Sequence, residues 1–124
     1  MSAYEILEIT VEDANAHKDK YILVDVRESH ELTGPEGHIK GSTLATLGLD
    51  LIHFLEAADP QKEYIFICRS GYRSSKACEM AYACGVSKAY NLKGGMLAWN
   101  EWMRNPATPL PSRSEERRVG KERR

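Results

Sequence analysis

The 124-residue sequence predicts an α/β fold, a doubly wound sheet of about five mainly parallel strands with helices on both faces. Two observations carry this expectation. Between residues 1 and 106, short apolar runs of strand length alternate with segments of helical spacing, the pattern of βα units joined by crossovers. Two of those runs, YILVDV (21–26) and YIFIC (64–68), are apolar at consecutive positions, as strands covered on both sides by helices must be.

Each element follows from local chemistry. YEILEI (4–9) reads as an edge strand or extended lead-in. Thr10 with Asp13 three residues on resembles a capping box and opens a short helix to about His17. YILVDV is rich in β-branched residues and forms a buried strand. A loop containing Gly34, Pro35, Gly37 and Gly41 leads to a short strand near Thr43–Thr46. Leu51, Ile52 and Leu55 recur at helical spacing, so 48–58 is a helix, stopped by Asp59-Pro60. YIFIC is the second buried strand. Residues 73–84 form a helix whose inner face is small (Ala77, Cys78, Ala81, Cys84), with Gly85 as the residue that closes it. AYNL (89–92) is a fifth strand. Gly95–Met103 is a last helix with Met96, Trp99 and Trp102 along one side, the tryptophans being read as core.

A 14.0 kDa chain allows one compact domain, which buries roughly 65–70% of its unfolded surface. The domain is expected over residues 1–111 and a basic tail over 112–124. That tail (SRSEERRVGKERR) holds six basic and three acidic groups. Taking them from the totals of 17 and 18 leaves 11 basic against 15 acidic, so the body carries −4. A mildly acidic body without a basic stripe is a poor nucleic-acid ligand. No apolar stretch is long enough to span a membrane. The acidic N-terminus lacks the pattern of a secretion signal, so a cytoplasmic protein is expected. The tail has no apolar periodicity and reads as a disordered, solvated end. RSEERRVGKE (113–122) also resembles the in-frame translation of a common sequencing adapter, which would mean read-through and a missing natural C-terminus.

The chemistry concentrates in YIFI-CRSGYR-SSKACEM. A buried strand ends at Cys68, a short polar loop with Gly71 follows, and a helix begins at about Arg73. The thiol therefore sits at the carboxyl edge of a strand beneath a helix N-terminus, where unpaired N–H groups converge on an anion. Gly71 lets the loop curl so that successive amides form a nest. Arg69 and Arg73 add positive charge. Such surroundings bring a thiol from its ordinary pKa of about 8.5 to roughly 3.5–7.5, so Cys68 is expected to be a thiolate nucleophile at neutral pH. Cys78 and Cys84 lie on the helix face with the alanines and are read as core. Three cysteines without a CxxC pair fit neither a disulfide framework nor a zinc site.

These residues resemble the rhodanese-type sulfurtransferase family. Cys68-Arg-Ser-Gly-Tyr-Arg73-Ser is similar to its active-site loop, LVDVRE (23–28) to its first buried strand, GHIKG (37–41) to its Gly-His-Ile-Pro-Gly turn, and NLKGGMLAW (91–99) to its Leu-x-Gly-Gly-x-x-x-Trp stretch. The four landmarks stand in family order across nearly the whole body. Lys40 and Ser42 depart from the usual proline and alanine of the turn.

The resemblance implies a rhodanese-like sheet and transfer of sulfane sulfur from thiosulfate or a related donor to a thiol or cyanide, through a persulfide on Cys68, with no metal or organic cofactor. Amides from Arg69, Ser70, Gly71, Tyr72, Arg73 and Ser74 would hold the persulfide, and the two arginines would attract a dianionic donor. Asp25 and Arg27, at the end of the neighbouring strand, either brace the cradle or form an ordinary ion pair. His38 is read as a structural, hydrogen-bonded residue, and Gly94 and Gly95 as a backbone bend. The expected partners are a small-molecule sulfur donor and a thiol acceptor, or a protein in either role, with no nucleic acid or membrane.

Three alternatives remain at this level. Phosphatases and arsenate reductases of the same fold place five residues between cysteine and arginine, whereas four separate Cys68 from Arg73; Ile67 also stands where such phosphatases tend to carry histidine. A catalytically silent binding module would commonly lose the cysteine. A persulfide carrier would need the same residues as the enzyme.

Overall fold

The computed structural model describes residues 5–104. The 112–124 tail and the end of the expected 1–111 domain lie outside them. Five strands, β1 (Leu7–Ile9), β2 (Ile22–Asp25), β3 (Thr43–Leu44), β4 (Tyr64–Ile67) and β5 (Ala89–Leu92), form one sheet in the order β1-β5-β4-β2-β3. All four pairings are parallel. Four helices, α1 (Val11–Ala16), α2 (Leu49–Ala57), α3 (Tyr72–Ala83) and α4 (Gly95–Arg104), cover it.

The central strand shows why both faces are covered. Tyr64 and Phe66 of β4 pack with Leu51 and Leu55 of α2 and with Ala77, Cys78 and Ala81 of α3. Ile65 and Ile67, pointing the other way, pack with Val11 and Ala14 of α1 and with Met96 and Trp99 of α4. The period of two thus divides one strand between two cores. The small inner face of α3 lets that helix lie close above the sheet, which brings its N-terminus down onto the end of β4.

Local signals act as expected at several joints. The Thr10 hydroxyl accepts the Asp13 N–H at 3.1 Å and caps α1. Gly85, at φ 89°, closes α3, with the Gly85 and Val86 amides returning to Tyr82 and Ala81 carbonyls at 3.1 and 2.8 Å. Other joints differ from the sequence reading. Helix α3 begins at Tyr72, one residue early, and β3 is only two residues long. The loop after β2 holds an unanticipated 3-10 helix, Ser29–Thr33. Cys84 is exposed rather than core, because it is the C-terminal cap residue, where α3 has already turned away from the sheet. Cys78 is fully buried.

The connections after β4 and β2 leave in opposite directions, towards β5 and β3. Their carboxyl ends therefore flank the crevice where a doubly wound sheet takes a ligand. Cys68 follows one strand and Arg27 the other.

Candidate active site

Cys68 leaves β4 at the floor of a loop formed by Arg69, Ser70 and Gly71. Gly71 takes φ 110°, a left-handed conformation that a side chain disfavours, and its N–H donates to Cys68 Sγ at 3.0 Å. Ser74, in the first turn of α3, brings its hydroxyl oxygen to 3.2 Å from the same sulfur. No side chain caps α3, so its first amides remain directed at the sulfur. Burial raises the Cys68 thiol pKa, but the Ser74 hydroxyl and the amides of Ser74, Gly71 and Ser70 together bring it below its ordinary value. The residue is 1% exposed, so the sulfur lies at the bottom of the cradle and not on its rim.

The carbonyls of the loop are held from below. Met96 N–H donates to Cys68 O at 2.8 Å and Leu97 N–H to Arg69 O at 3.1 Å, so the amino end of α4 takes the acceptors while loop amides face the sulfur. Such an approach requires glycine. A Cβ on Gly95 would collide with the Cys68 carbonyl and the Arg69 peptide, and Gly94 and Gly95 both take positive φ, 77° and 60°. The backbone bend read for this pair is present, and it also permits contact with the loop.

A second support comes from β5. The Ser74 hydroxyl donates to Asn91 Oδ1, and both residues are buried. Asn91 Nδ2 donates to Gly71 O at 3.1 Å and reaches Glu8 Oε2 at 3.4 Å, two acceptors that fix which way the amide faces. Asn91 was missed in the sequence. Its signal was a lone amide in an otherwise apolar strand, AYNL.

The arginines depart most from expectation. Arg73 Nη1 and Nη2 donate to Glu31 Oε1 and Oε2 at 2.8 and 3.0 Å, a bidentate pair. Glu31 Oε1 also accepts Glu28 N–H at 2.9 Å, and the Arg73 hydrogen bonds pull the Glu31 carboxyl from 4.5 down to about 2. Arg69 stands beside Glu36, Nε to Oε2 3.4 Å, with its side chain half exposed. Both guanidinium groups are ion-paired, which the sequence did not show. The residues that neutralise them, Glu31 and Glu36, lie in a loop whose acidic residues carry no positional signal in the sequence. Arg27 is wholly buried; its Nε and Nη2 donate to the Asp25 carboxylate at 2.9 and 2.8 Å, and Nη2 also donates to Gly37 O at 2.7 Å. Thr46 Oγ1 donates to Arg27 O at 2.7 Å. The Asp25–Arg27 pair therefore ties β2, the 34–37 loop and the segment after β3 together. Of the remaining loop residues, Ser70 and Tyr72 point outwards, Tyr72 being 69% exposed. His38 Nδ1 lies 3.2 Å from Leu32 O.

A parallel sheet that presents a cysteine in a six-residue Cys-x-x-x-x-Arg loop defines a class, and comparison with known proteins agrees with it. A family model described as "Rhodanese-like domain" matches residues 10–101, and the chain belongs to that family. It is 40% identical over 99 residues to "Putative sulfurtransferase YtwF" of Bacillus subtilis, covering 77% of this chain and 91% of the relative. It is 30% identical over 79 residues to "Thiosulfate sulfurtransferase GlpE" of Shewanella oneidensis, covering 64% and 75%. Among solved structures it resembles a Rhodopseudomonas palustris protein described as "Protein of Unknown Function RPA3614, Possible Tyrosine Phosphatase", with TM-score 0.65, 30% identity, and 85% and 84% of the two chains covered.

Proposed function

We propose that the protein is a sulfurtransferase that carries sulfane sulfur on Cys68. The observation that supports this most is the sulfur at the foot of α3, with the Gly71 amide at 3.0 Å and the Ser74 hydroxyl at 3.2 Å. The thiolate attacks the outer sulfur of a donor such as thiosulfate. A new Sγ–S bond forms, the donor S–S bond breaks, and its electron pair leaves with sulfite. The Cys68 persulfide then gives its outer sulfur to a second nucleophile, a thiol or cyanide, and the thiolate returns. Amides from Arg69 to Ser74 hold the anionic sulfur throughout, and no metal or organic cofactor takes part. Asp25 and Arg27 brace the crevice without touching sulfur. Three free cysteines suit a reducing compartment, and we place the protein in the cytoplasm.

A phosphatase reading draws on the Rhodopseudomonas relative's description. Against it stand the four-residue spacing from Cys68 to Arg73 and the engagement of Arg73 Nη1 and Nη2 by the Glu31 carboxylate, whose negative charge disfavours a phosphate there. Enzyme and persulfide carrier share this site and differ in what docks. The deciding experiment is intact mass after incubation with thiosulfate. A reversible gain of roughly 32 Da, one sulfur, is expected in the native chain and not in Cys68→Ser. An unchanged mass, with hydrolysis of an aryl phosphate instead, would overturn the proposal.

A further inference from the structure

Asn91 sits on β5 in register with Phe66 of β4, on the same face as Ala89, the one that α3 covers, and it is 3% exposed. Its amide is fully specified. Nδ2 points at two acceptors, Gly71 O and Glu8 Oε2, so Oδ1 faces the Ser74 hydroxyl, its one donor among the described residues. Ser74 Oγ also stands 3.2 Å from Cys68 Sγ. One proton therefore has two acceptors, and the position of the negative charge decides between them.

We propose that Asn91 is a positioning residue that shifts Cys68 towards its sulfur-loaded form, by competing with Sγ for the Ser74 proton. The role rests on the sulfurtransferase reading and adds a residue to it. In the unloaded thiolate the full charge lies on Sγ. The hydroxyl turns to it and leaves Asn91 Oδ1 buried without a donor, which is costly. Loading removes that cost. The thiolate attacks the outer sulfur of thiosulfate, a Sγ–S bond forms, the donor S–S bond breaks, and its electron pair leaves with sulfite. Cys68–S⁻ and thiosulfate become Cys68–S–S⁻ and sulfite, three negative charges before and after. The charge now lies on the outer sulfur, and Sγ, with two covalent bonds and no charge, is a weak acceptor. The hydroxyl returns to Asn91, so the amide penalises the thiolate and not the persulfide. This competition is separable from support of the loop. Ser75 N–H also donates to Gly71 O, at 3.2 Å, so that carbonyl stays tied to α3 when the Asn91 amide is removed.

The test measures the loading equilibrium of Cys68 by intact mass, at fixed ratios of thiosulfate to sulfite. The pH is set on the plateau of the alkylation profile, where the unloaded residue is thiolate. The chains compared are the native one, Asn91→Val, Ser74→Ala and the double variant. Valine suits a buried strand and offers no acceptor. The ratio of persulfide to thiolate is expected to fall about two- to tenfold in Asn91→Val, the net worth of one hydrogen bond. In the Ser74→Ala background the same substitution should leave the ratio unmoved, because no proton is contested. An unchanged or raised ratio in Asn91→Val overturns the proposal. So does an equal fall in both backgrounds, which is what mere loosening of the loop would give. If Asn91→Val fails to fold, Asn91→Ala decides by the same criterion. A native chain that thiosulfate does not load would overturn the sulfurtransferase reading instead. The competition is then decided by alkylation read on the Cys68 peptide: the pH profile should move down in Asn91→Val, and an unmoved profile overturns it.

Discussion

Ser74 has one hydroxyl proton and two neighbours that want it, Cys68 Sγ and Asn91 Oδ1. While Cys68 is a thiol, its S–H donates to Ser74 and Ser74 donates to Asn91. On ionisation the hydroxyl turns to the sulfur and becomes a donor to the thiolate. Hydrogen bonds to a charged group are worth about 1.5–3 kcal/mol, so Ser74→Ala should raise the Cys68 pKa. The measurement is the pH profile of alkylation by iodoacetamide. Below the thiol pKa the rate falls tenfold per pH unit with the thiolate fraction. The native profile should level off at a lower pH than that of an ordinary thiol, and the variant's plateau should move up. An unmoved profile would remove Ser74 from the support of the thiolate. Cys78 is an internal control: burial pushes its thiol up to about 12, so it should stay unmodified until the chain unfolds. In the sequence, the placing of Cys68 beneath a helix N-terminus was legible from a strand ending in cysteine before a glycine loop. The hydroxyl's role was not, because Ser74 looked like one more helix-start residue until β5 brought Asn91 beside it.

At the scale of elements, the loop is clamped between the amino ends of two helices, α3 supplying amides to the sulfur and α4 taking the loop carbonyls. Gly95 is the hinge of that arrangement, and Gly95→Ala should be costly. Its Cβ meets loop backbone, which cannot swing away, and the position already has φ 60°. A loss of roughly 2–4 kcal/mol is expected, read as a lower urea midpoint, together with slower persulfidation of Cys68. Gly48→Ala is the comparison. At φ 119° with nothing within 4 Å of its Cβ, it should show only backbone strain, about 1–2 kcal/mol, and normal sulfur capture. Equal effects from both variants would mean that the contact with the loop is unimportant. Strands and helices were readable because apolar periodicity and caps are local properties. The 3-10 helix Ser29–Thr33 was not, since its polar residues acquire a reason for helical geometry only when Glu31 bonds back to Glu28 and outwards to Arg73. Cys84 misled for the opposite reason: it continues the small-residue spacing of α3 just where the helix ends.

Across the whole molecule, the carboxyl edge is held by ion pairs that join segments distant in sequence. Glu31 and Arg73 lie 42 residues apart and fasten the loop after β2 to the helix after β4. The sequence showed the charges but not their pairing, because pairing depends on which loop folds over which helix. This pair should govern acid stability. Arg73 holds the folded Glu31 carboxyl at about 2, against an ordinary 4.5. A carboxyl depressed on folding contributes stability above its unfolded pKa and loses it as pH falls through the folded one. The Glu31 contribution should therefore be complete above about pH 5 and decline progressively from 4.5 towards 2. Its side chain is 20% exposed, so solvent screening is modest, and a contribution on the order of 2–3 kcal/mol is expected. Urea unfolding of the native chain and of Glu31→Gln, at pH 6 and again at pH 2.5, isolates it. The native chain should be the more stable at pH 6, and the two curves should converge at pH 2.5, where unfolded Glu31 is protonated and most of its linkage energy has gone. A gap of the same size at both pH values would mean that Glu31 stabilises the loop by its shape and not by its charge.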